Sequence, residues 1–288
     1  LGEYLRANVF GPLGMRDASL DGQAPCAPVA TGHRNWFGLA VADGFSHERG
    51  DGAWGGPASG YVRASIDDMA SYLRMYLNSG GGVVTPAGIH RMVFDRVPDP
   101  DGDTFYGMGW STYRWGDGEP VMSHDGDVEN YVSRMLIVPG RDLGVVLLAD
   151  ENDAVEGNST FWQMGDDVVS LAVGGEATGT DGAGARRTHA LFAAAYLLAI
   201  VACAAPLLLR RLPRACDRLE RRVRAAWGAF LHGVVPVAIV LYPLTFGMRL
   251  RDFAAFYPEQ AVVGVVCAAL LLVGGARRLR RCRRGCRR

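Results

Sequence analysis

The chain has 288 residues, and its 30 acidic side chains are balanced by 30 basic ones, all Arg because Lys is absent. That zero net charge hides two halves: most Asp and Glu lie in residues 1–175 and most Arg in residues 210–288, a split that implies two environments. The six Cys are scattered without a C-x-x-C pair, the His lack metal-ligand spacing, and there is neither a P-loop nor a dinucleotide-binding glycine motif. A zinc ribbon, a disulfide framework, a metal centre and the common nucleotide folds are therefore not indicated.

Leu1 to Phe10 carries apolar residues at Leu1, Tyr4, Leu5 and Val9, a helical spacing, and GPLGM at 11–15 stops it. Residues 16–60 are dense in Gly, Pro, Asp and Ala and read as a long irregular excursion. Ser65-Ile-Asp-Asp resembles a capping box with Asp in place of Glu or Gln, and opens a helix from about Ile66 to Asn78. Met69, Tyr72, Leu73, Tyr76 and Leu77 form its apolar side, and Gly80-Gly81-Gly82 ends it.

Strand signals follow at Tyr106–Tyr113, Glu119–His124, Tyr131–Val138 and Leu143–Ala149, separated by turns rich in Gly, Asp and Pro. Consecutive strands with short turns form an antiparallel meander. A helix over Asn158–Val173 supplies Phe161, Trp162, Met164, Val168, Val169 and Leu171 to cover one sheet face. Residues 1–173 are thus one α+β domain, and 174–188, GGEATGTDGAGARRT, a linker.

Residues 189–288 form an all-α membrane region. His189 to Leu209 is 21 residues without a charge, Ala225 to Met248 is 24, and Ala261 to Ala276 is 16. A hydrocarbon core of ~30 Å needs about 20 apolar residues in a helix, so spans are expected near 189–209, 225–248 and 257–276. Between the first two, residues 210–224 hold seven Arg against Asp217 and Glu220, and the tail 277–288 holds eight Arg and no acid. The positive-inside rule puts both in the cytoplasm and residues 1–188 on the outer side. The Arg-rich segments read as membrane flanks, with lipid rather than nucleic acid as partner.

Ser123, His124 and Asp125 stand together and invite comparison with a hydrolytic triad. Alternation along a strand puts Ser123 and Asp125 on one face and His124 on the other. A nucleophile must lie ~2.6–3.2 Å from its base, so these three are not a triad among themselves.

Five segments, in order, resemble the serine beta-lactamase-like family of class C beta-lactamases, D-alanyl-D-alanine peptidases and related esterases. They are LGEYLRANVFGPLGM; WGGPASGYVRASIDDMASYLRMYLNSG; YGMGW at 106–110; HDG at 124–126 with NYVSRMLIVP behind it; and GVVLLAD at 144–150. The resemblance implies the C-terminal part of such a domain, with an antiparallel sheet and covering helices. It makes HDG the third active-site motif, with His124 facing the cleft and the Asp127 N–H, after Gly126, forming half of an oxyanion hole. Asp125 and Asn130 would then contact substrate, and no cofactor is implied. The family's Ser-x-x-Lys and Tyr-x-Asn motifs are expected upstream of residue 1, because the chain has neither Lys nor Tyr-x-Asn. Alone it is expected to be inactive.

The resemblance implies a membrane-anchored serine hydrolase acting through an acyl-serine on a peptide, beta-lactam or ester bearing a carboxylate or acyl group. The alternative is a degenerate, non-enzymatic binding or regulatory module. A channel-like role would need intramembrane ionisable groups, for which only His232, with Glu259 at an edge, qualifies. Trp54, Trp110 and Trp115 read as core or rim packing. Asn158-Ser-Thr is a glycosylation sequon by pattern only.

Overall fold

The computed structural model describes residues 1–20, 22–45, 58, 60–100, 104–115, 118–208 and 218–285. Trp54, residues 55–57, Cys216, Cys286 and the basic run 210–217 lie outside them. The chain divides into two units, residues 1–34 with 40–182, and residues 35–39 with 183–288.

In the first unit, α1 (Gly2–Leu5) continues through a π-helical turn, Arg6–Phe10, into α2 (Gly11–Leu13). Gly11-Pro12 does not stop the helix: Pro12 falls in the last turn, directly after the π-helical turn in which the Gly11 N–H bonds to Arg6 O. The stop is Gly14, at φ 70°. The excursion 16–60 contains β1 (Ser19–Leu20), β2 (His33–Trp36) and β3 (Leu39–Val41). Too short to show a period, β1 and β2 are set by distant partners: β1 pairs with β4 (Val62–Arg63), while β3 turns back on β2.

Then comes α3 (Ile66–Leu77), with the expected capping box: Ser65 Oγ accepts from the Asp68 N–H, and the Asp68 carboxylate accepts from the Ser65 N–H. A helix not anticipated from the apolar pattern, α4 (Pro86–Phe94), starts where Thr85 Oγ1 accepts from the Gly88 N–H and Pro86 takes the first turn.

A six-stranded sheet is made by β5 (Val97–Pro98), β6 (Phe105–Tyr106), β7 (Ser111–Arg114), β8 (Pro120–Val128), β9 (Tyr131–Val138) and β10 (Leu143–Ala149). Its order is that of the chain and every neighbouring pair is antiparallel. Residues 106–113, expected as one strand, fold back on themselves as β6 and β7. The Gly107 N–H bonds to Trp110 O and Gly109 takes φ 82°, which closes the turn between them. β8 runs past Gly126, so its turn is at Glu129-Asn130.

After the short β11 (Glu151–Asn152), which pairs in parallel with β2, α5 (Gly157–Ala172) returns across the sheet. Asp153 caps its start by accepting from the N–H groups of Val155 and Gly157 at 3.1 and 2.9 Å. One face of the sheet packs Met122 and Ile137 against Leu73, Met75, Tyr76 and Val93, with Trp110 edge-on to Tyr76. The other packs Val121, Leu136 and Val138 against Val169 of α5. Trp110 is a core residue, and Trp115 packs against this second cluster.

The linker is tied down. The Asp167 carboxylate accepts from Thr178 Oγ1 at 2.7 Å, the Thr178 and Gly179 N–H groups at 3.0 and 2.9 Å, and Gln163 Nε2 at 3.1 Å. The Thr178 hydroxyl above all lowers the Asp167 pKa below its ordinary value.

Among the described residues, the second unit contains three helical runs long and apolar enough to cross a membrane: Gly182–Leu207, Arg218–Phe246 and Pro258–Arg280. The first is α6 (Gly182–Leu208) and the last lies in α10 (Pro258–Gly285). The middle run joins α7 (Arg218–Ala229), a π-helical turn Phe230–Val234, α8 (Val235–Leu241) and a 3₁₀ turn Tyr242–Phe246, before α9 (Leu250–Phe256). In the π turn, His232 Nδ1 lies 2.8 Å from Leu271 O, and its ring sits against Gly274 and Gly275, where a Cβ would collide with it. His232 thus serves as a packing residue between helices. Glu259 is buried and accepts from the Phe37 N–H within this unit.

The lowered Asp167 pKa makes its clamp complete above about pH 4, the unfolded Asp range, and lost as pH falls through the lower folded value. Asp167→Ala is expected to raise proteolytic cleavage within residues 174–181 several-fold at pH 7. Peptide mapping of limited digests checks this; unchanged cleavage would show that the linker is held by other means.

Candidate active site

The site is built around β8 and its two edges. With only Glu129 and Asn130 in the turn, Val128 and Tyr131 are the closing pair of the hairpin. A closing pair exchanges both main-chain hydrogen bonds, and pairs alternate from there. Gly126 and His124 therefore bond across to Ser133 and Met135 of β9, whereas the N–H and C=O groups of Asp125 and Asp127 point to the opposite edge. β7 covers that edge only as far as Ser111, opposite Ser123. From His124 to Val128 no described strand pairs with it. The Asp127 N–H is thus presented outward on an open strand edge.

Side chains sort by face. His124 shares the α3 face with Met122, stands opposite Met135 and is half-buried. Gly126 lies beside it, where a Cβ would sit 2.3 Å from Ser133 Oγ, so a larger residue would require the Ser133 hydroxyl to turn away. Ser123, Asp125 and Asp127 lie on the α5 face.

On that face Arg134 of β9 dominates. It is buried, and donates to Asp125 Oδ2 at 3.3 Å and to Asp166 Oδ1 of α5 at 2.7 Å. Gly165 makes room for it, since a Cβ there would stand 2.6 Å from Arg134 Cδ. Burial raises the Asp125 and Asp166 pKa values, and Arg134 pulls both back. Burial likewise raises the Tyr113 pKa, and the nearby Asp166 carboxylate adds to the shift.

The Asp127 carboxylate is held on the same face. It accepts from Asn152 Nδ2 and, at 3.2 Å, from Asn158 Nδ2. Burial raises its pKa, and the two amides oppose that. The charge is thereby turned away from His124. Asn158 also accepts from the Asp153 N–H at 3.0 Å and is buried, so the folded sequon offers no free amide to a glycan. Asn130 is buried in the turn against Gly32, and its Oδ1 has no hydrogen-bond partner among the described residues.

Of the residues singled out in the sequence, His124, Gly126 and the Asp127 N–H come together at the open edge of β8. The Asp125 side chain is engaged on the other face. Arg134, Asp166, Tyr113, Asn152 and Asn158 were not foreseen. The available signal was Arg134 itself, a charge at an inward position of the otherwise apolar run YVSRMLIV.

A family model described as Beta-lactamase matches residues 1–166 of the chain. The chain belongs to the beta-lactamase family. Among solved structures, this family member is similar to the octameric penicillin-binding protein homologue from Pyrococcus abyssi. The two share 23% identity at a TM-score of 0.47, over 61% of this chain and 38% of that one. It is also similar to a D-stereospecific amidohydrolase from Streptomyces sp., at 16% identity and a TM-score of 0.41, over 52% of this chain and 43% of that one. The chain therefore spans well under half the length of either protein. No curated protein matches it.

Removing Arg134 leaves Asp125 and Asp166 facing each other. A fully buried pair broken in this way costs ~3–5 kcal/mol; both carboxylates here are about one-third exposed, so Arg134→Met is expected to cost roughly 2 kcal/mol at neutral pH. Asp pKa values raised in the fold favour the folded state at low pH and lose that contribution as pH rises through them. Without Arg134 they rise further, so the deficit of the variant shrinks as pH falls from 7 towards 4. Denaturant melts across that range check this; a deficit that is flat or grows in acid would refute the pairing.

Proposed function

We propose that the protein is a membrane-anchored serine hydrolase of the beta-lactamase and penicillin-binding-protein type, working through an acyl-serine intermediate. The observation that carries this reading is the open edge of β8, with His124 on one face and the Asp127 N–H directed outward. A substrate laid along this edge meets a hydrogen-bond donor where negative charge develops on the reacting carbonyl. Such preorganised donors contribute ~2.7–4 kcal/mol each. His124, with no side-chain hydrogen bond among the described residues, is free to contact a substrate carboxylate or the reacting centre. Gly126 keeps the edge narrow enough for close approach. Asn152 and Asn158 hold the Asp127 carboxylate away from the developing oxyanion.

The nucleophile and its base lie outside these 288 residues in this reading. With no Lys in the sequence, a Ser-x-x-Lys pair has to be contributed by another part of the protein. The substrates are acyl compounds: D-amino-acid peptides, beta-lactams or small esters. The three apolar helices are membrane spans, with the Arg-rich segments in the cytoplasm and the hydrolase domain on the outer side.

Labelling of source-cell membranes with a fluorophosphonate and, separately, with a penicillin probe tests the proposal. A label is expected on a Ser of a Ser-x-x-Lys peptide joined to this chain, and His124→Ala should slow labelling by about a hundredfold. Absence of label on a native chain lacking that motif would leave the non-enzymatic module as the reading.

A further inference from the structure

The tip of the β2–β3 hairpin, Asn35–Leu39, belongs to the second unit. Its two-residue loop is Phe37-Gly38, at φ 57° and 84°. A loop of this kind, with both φ positive, favours Asn-Gly or Asp-Gly, and a bulky side chain takes the conformation rarely. An aromatic residue at Phe37 is therefore an unfavourable way to reverse a chain in water. The compensation comes from the helices. The Phe37 N–H donates to the Glu259 carboxylate in the first turn of α10. Its ring meets Tyr196 of α6 edge-on, with centroids 6.2 Å apart. A Cβ at Gly38 would lie 2.9 Å from His189 Cβ, so Gly is what lets the loop approach α6 this closely.

These contacts set the level of the tip along the helices. His189 opens the charge-free run of α6, and Tyr196 lies ~10 Å further along it at 1.5 Å per residue. Helical side chains lean back towards the N-terminus, so the Tyr196 ring stands nearer to the level of His189 than its own Cα does. The tip thus lies beside the starts of two apolar runs, where headgroups give way to acyl chains. Its surface suits that level. Phe37 and Leu39 are 45% and 67% exposed, and Leu191 and Phe192 of α6 are exposed as well. The Phe192 and Tyr196 rings are 6.0 Å apart, so ring contacts run from the helix surface to the loop without a break. Aromatic side chains are favoured at this boundary.

We propose that this hairpin tip dips into the outer leaflet as an additional membrane contact, held on α6 and α10 by Glu259, with Phe37 and Leu39 against lipid. Glu259 is buried and also accepts from Gln260 Nε2 at 3.4 Å. A carboxylate left bare at this depth would be unfavourable. The Phe37 N–H, whose loop position keeps it out of the hairpin ladder, supplies the donor. The occupant of the exposed face is lipid rather than a second copy of the chain, because the lipid that covers Leu191 and Phe192 of a spanning α6 is already at the level of the tip. The inference rests on the membrane-spanning reading above.

The test irradiates the complete protein in its own membranes with a lipid-soluble aryl diazirine, whose carbene inserts into the side chains it meets, and maps the adducts by mass spectrometry. Phe37 and Leu39 are expected to label together with Leu197 and Leu198 of α6, and several-fold above Val62 and Met108, exposed apolar side chains of the first unit. A tip labelled no more than Val62 and Met108, beside a labelled α6, would overturn the proposal, whether water or a second copy covers it. An unlabelled α6 would refute the spans themselves, and the place of the tip with them. Glu259→Leu removes the acceptor and should lower labelling of the tip several-fold, while that of α6, the fold control, stays at the wild-type level. Glu259→Gln, whose amide oxygen can still accept from the Phe37 N–H, should label as the wild type does. Unchanged labelling of the tip in Glu259→Leu, or an equal loss in Glu259→Gln, would overturn the role of Glu259 as the acceptor that holds it.

Discussion

The buried guanidinium of Arg134 organises the first unit of the molecule. Arg134 sits in the middle of β9, in a run of residues that otherwise bury hydrocarbon, and reaches Asp125 on β8 and Asp166 on α5. A buried charge is tolerated only when paired and hydrogen-bonded, so strand, neighbouring strand and covering helix are locked in one register. A slip of β8 by one residue would reverse every side chain on it. It would bring Asp125 to the α3 face, strand Arg134 without one of its carboxylates, and send His124 into the space occupied by the pair. The cost of that error is what makes the register of β8 unambiguous.

The proposed chemistry depends on this register. Once Asp125 and Asp127 are committed to the α5 face, where Arg134, Asn152 and Asn158 hold them, their main-chain groups must face the edge that β7 leaves uncovered. Electrostatics and backbone geometry thus act together: the carboxylates of Asp125 and Asp127 are held on one face of the sheet, and the Asp127 amide is left as an outward-facing donor. His124 and Gly126 complete the opposite face. A sequence containing three acids within five positions, from Asp125 to Glu129, would look hostile to an anionic transition state. For Asp125 and Asp127 the fold removes that difficulty by alternation and pairing.

Much of this was legible before any coordinates. Tyr131–Val138 and Leu143–Ala149 are long, apolar and bounded by turn residues, and both strands lie where their pattern puts them. The capping box at Ser65 marked the start of α3, and the opposed faces of His124 and Asp125 follow from strand period alone. What could not be read were features specified at a distance. β1 and β2 are two and four residues long and owe their form to partners such as Val62 and Glu151. The reversal between β6 and β7 depends on Gly109 at positive φ, which from the sequence looks like one Gly among many. The Arg134 network joins residues up to 41 positions apart, from Asp125 to Asp166, and only the folded sheet brings them together. Composition announced the apolar helices of the second unit plainly, whereas the bond from Phe37 to Glu259, 222 positions away, needed the fold.

In the proposed reaction the reacting carbonyl sits at the open edge of β8. The most direct test is a structure of the complete protein inhibited by a boronic acid, which mimics the tetrahedral intermediate once bound to the nucleophile. The account predicts a boronate oxygen ~2.7–3.1 Å from the Asp127 N–H, with His124 on the same side of the inhibitor and Asp125 still paired to Arg134. An inhibitor bound with its oxygens directed away from Asp127, or a β8 edge occupied by another strand of the complete protein, would contradict it.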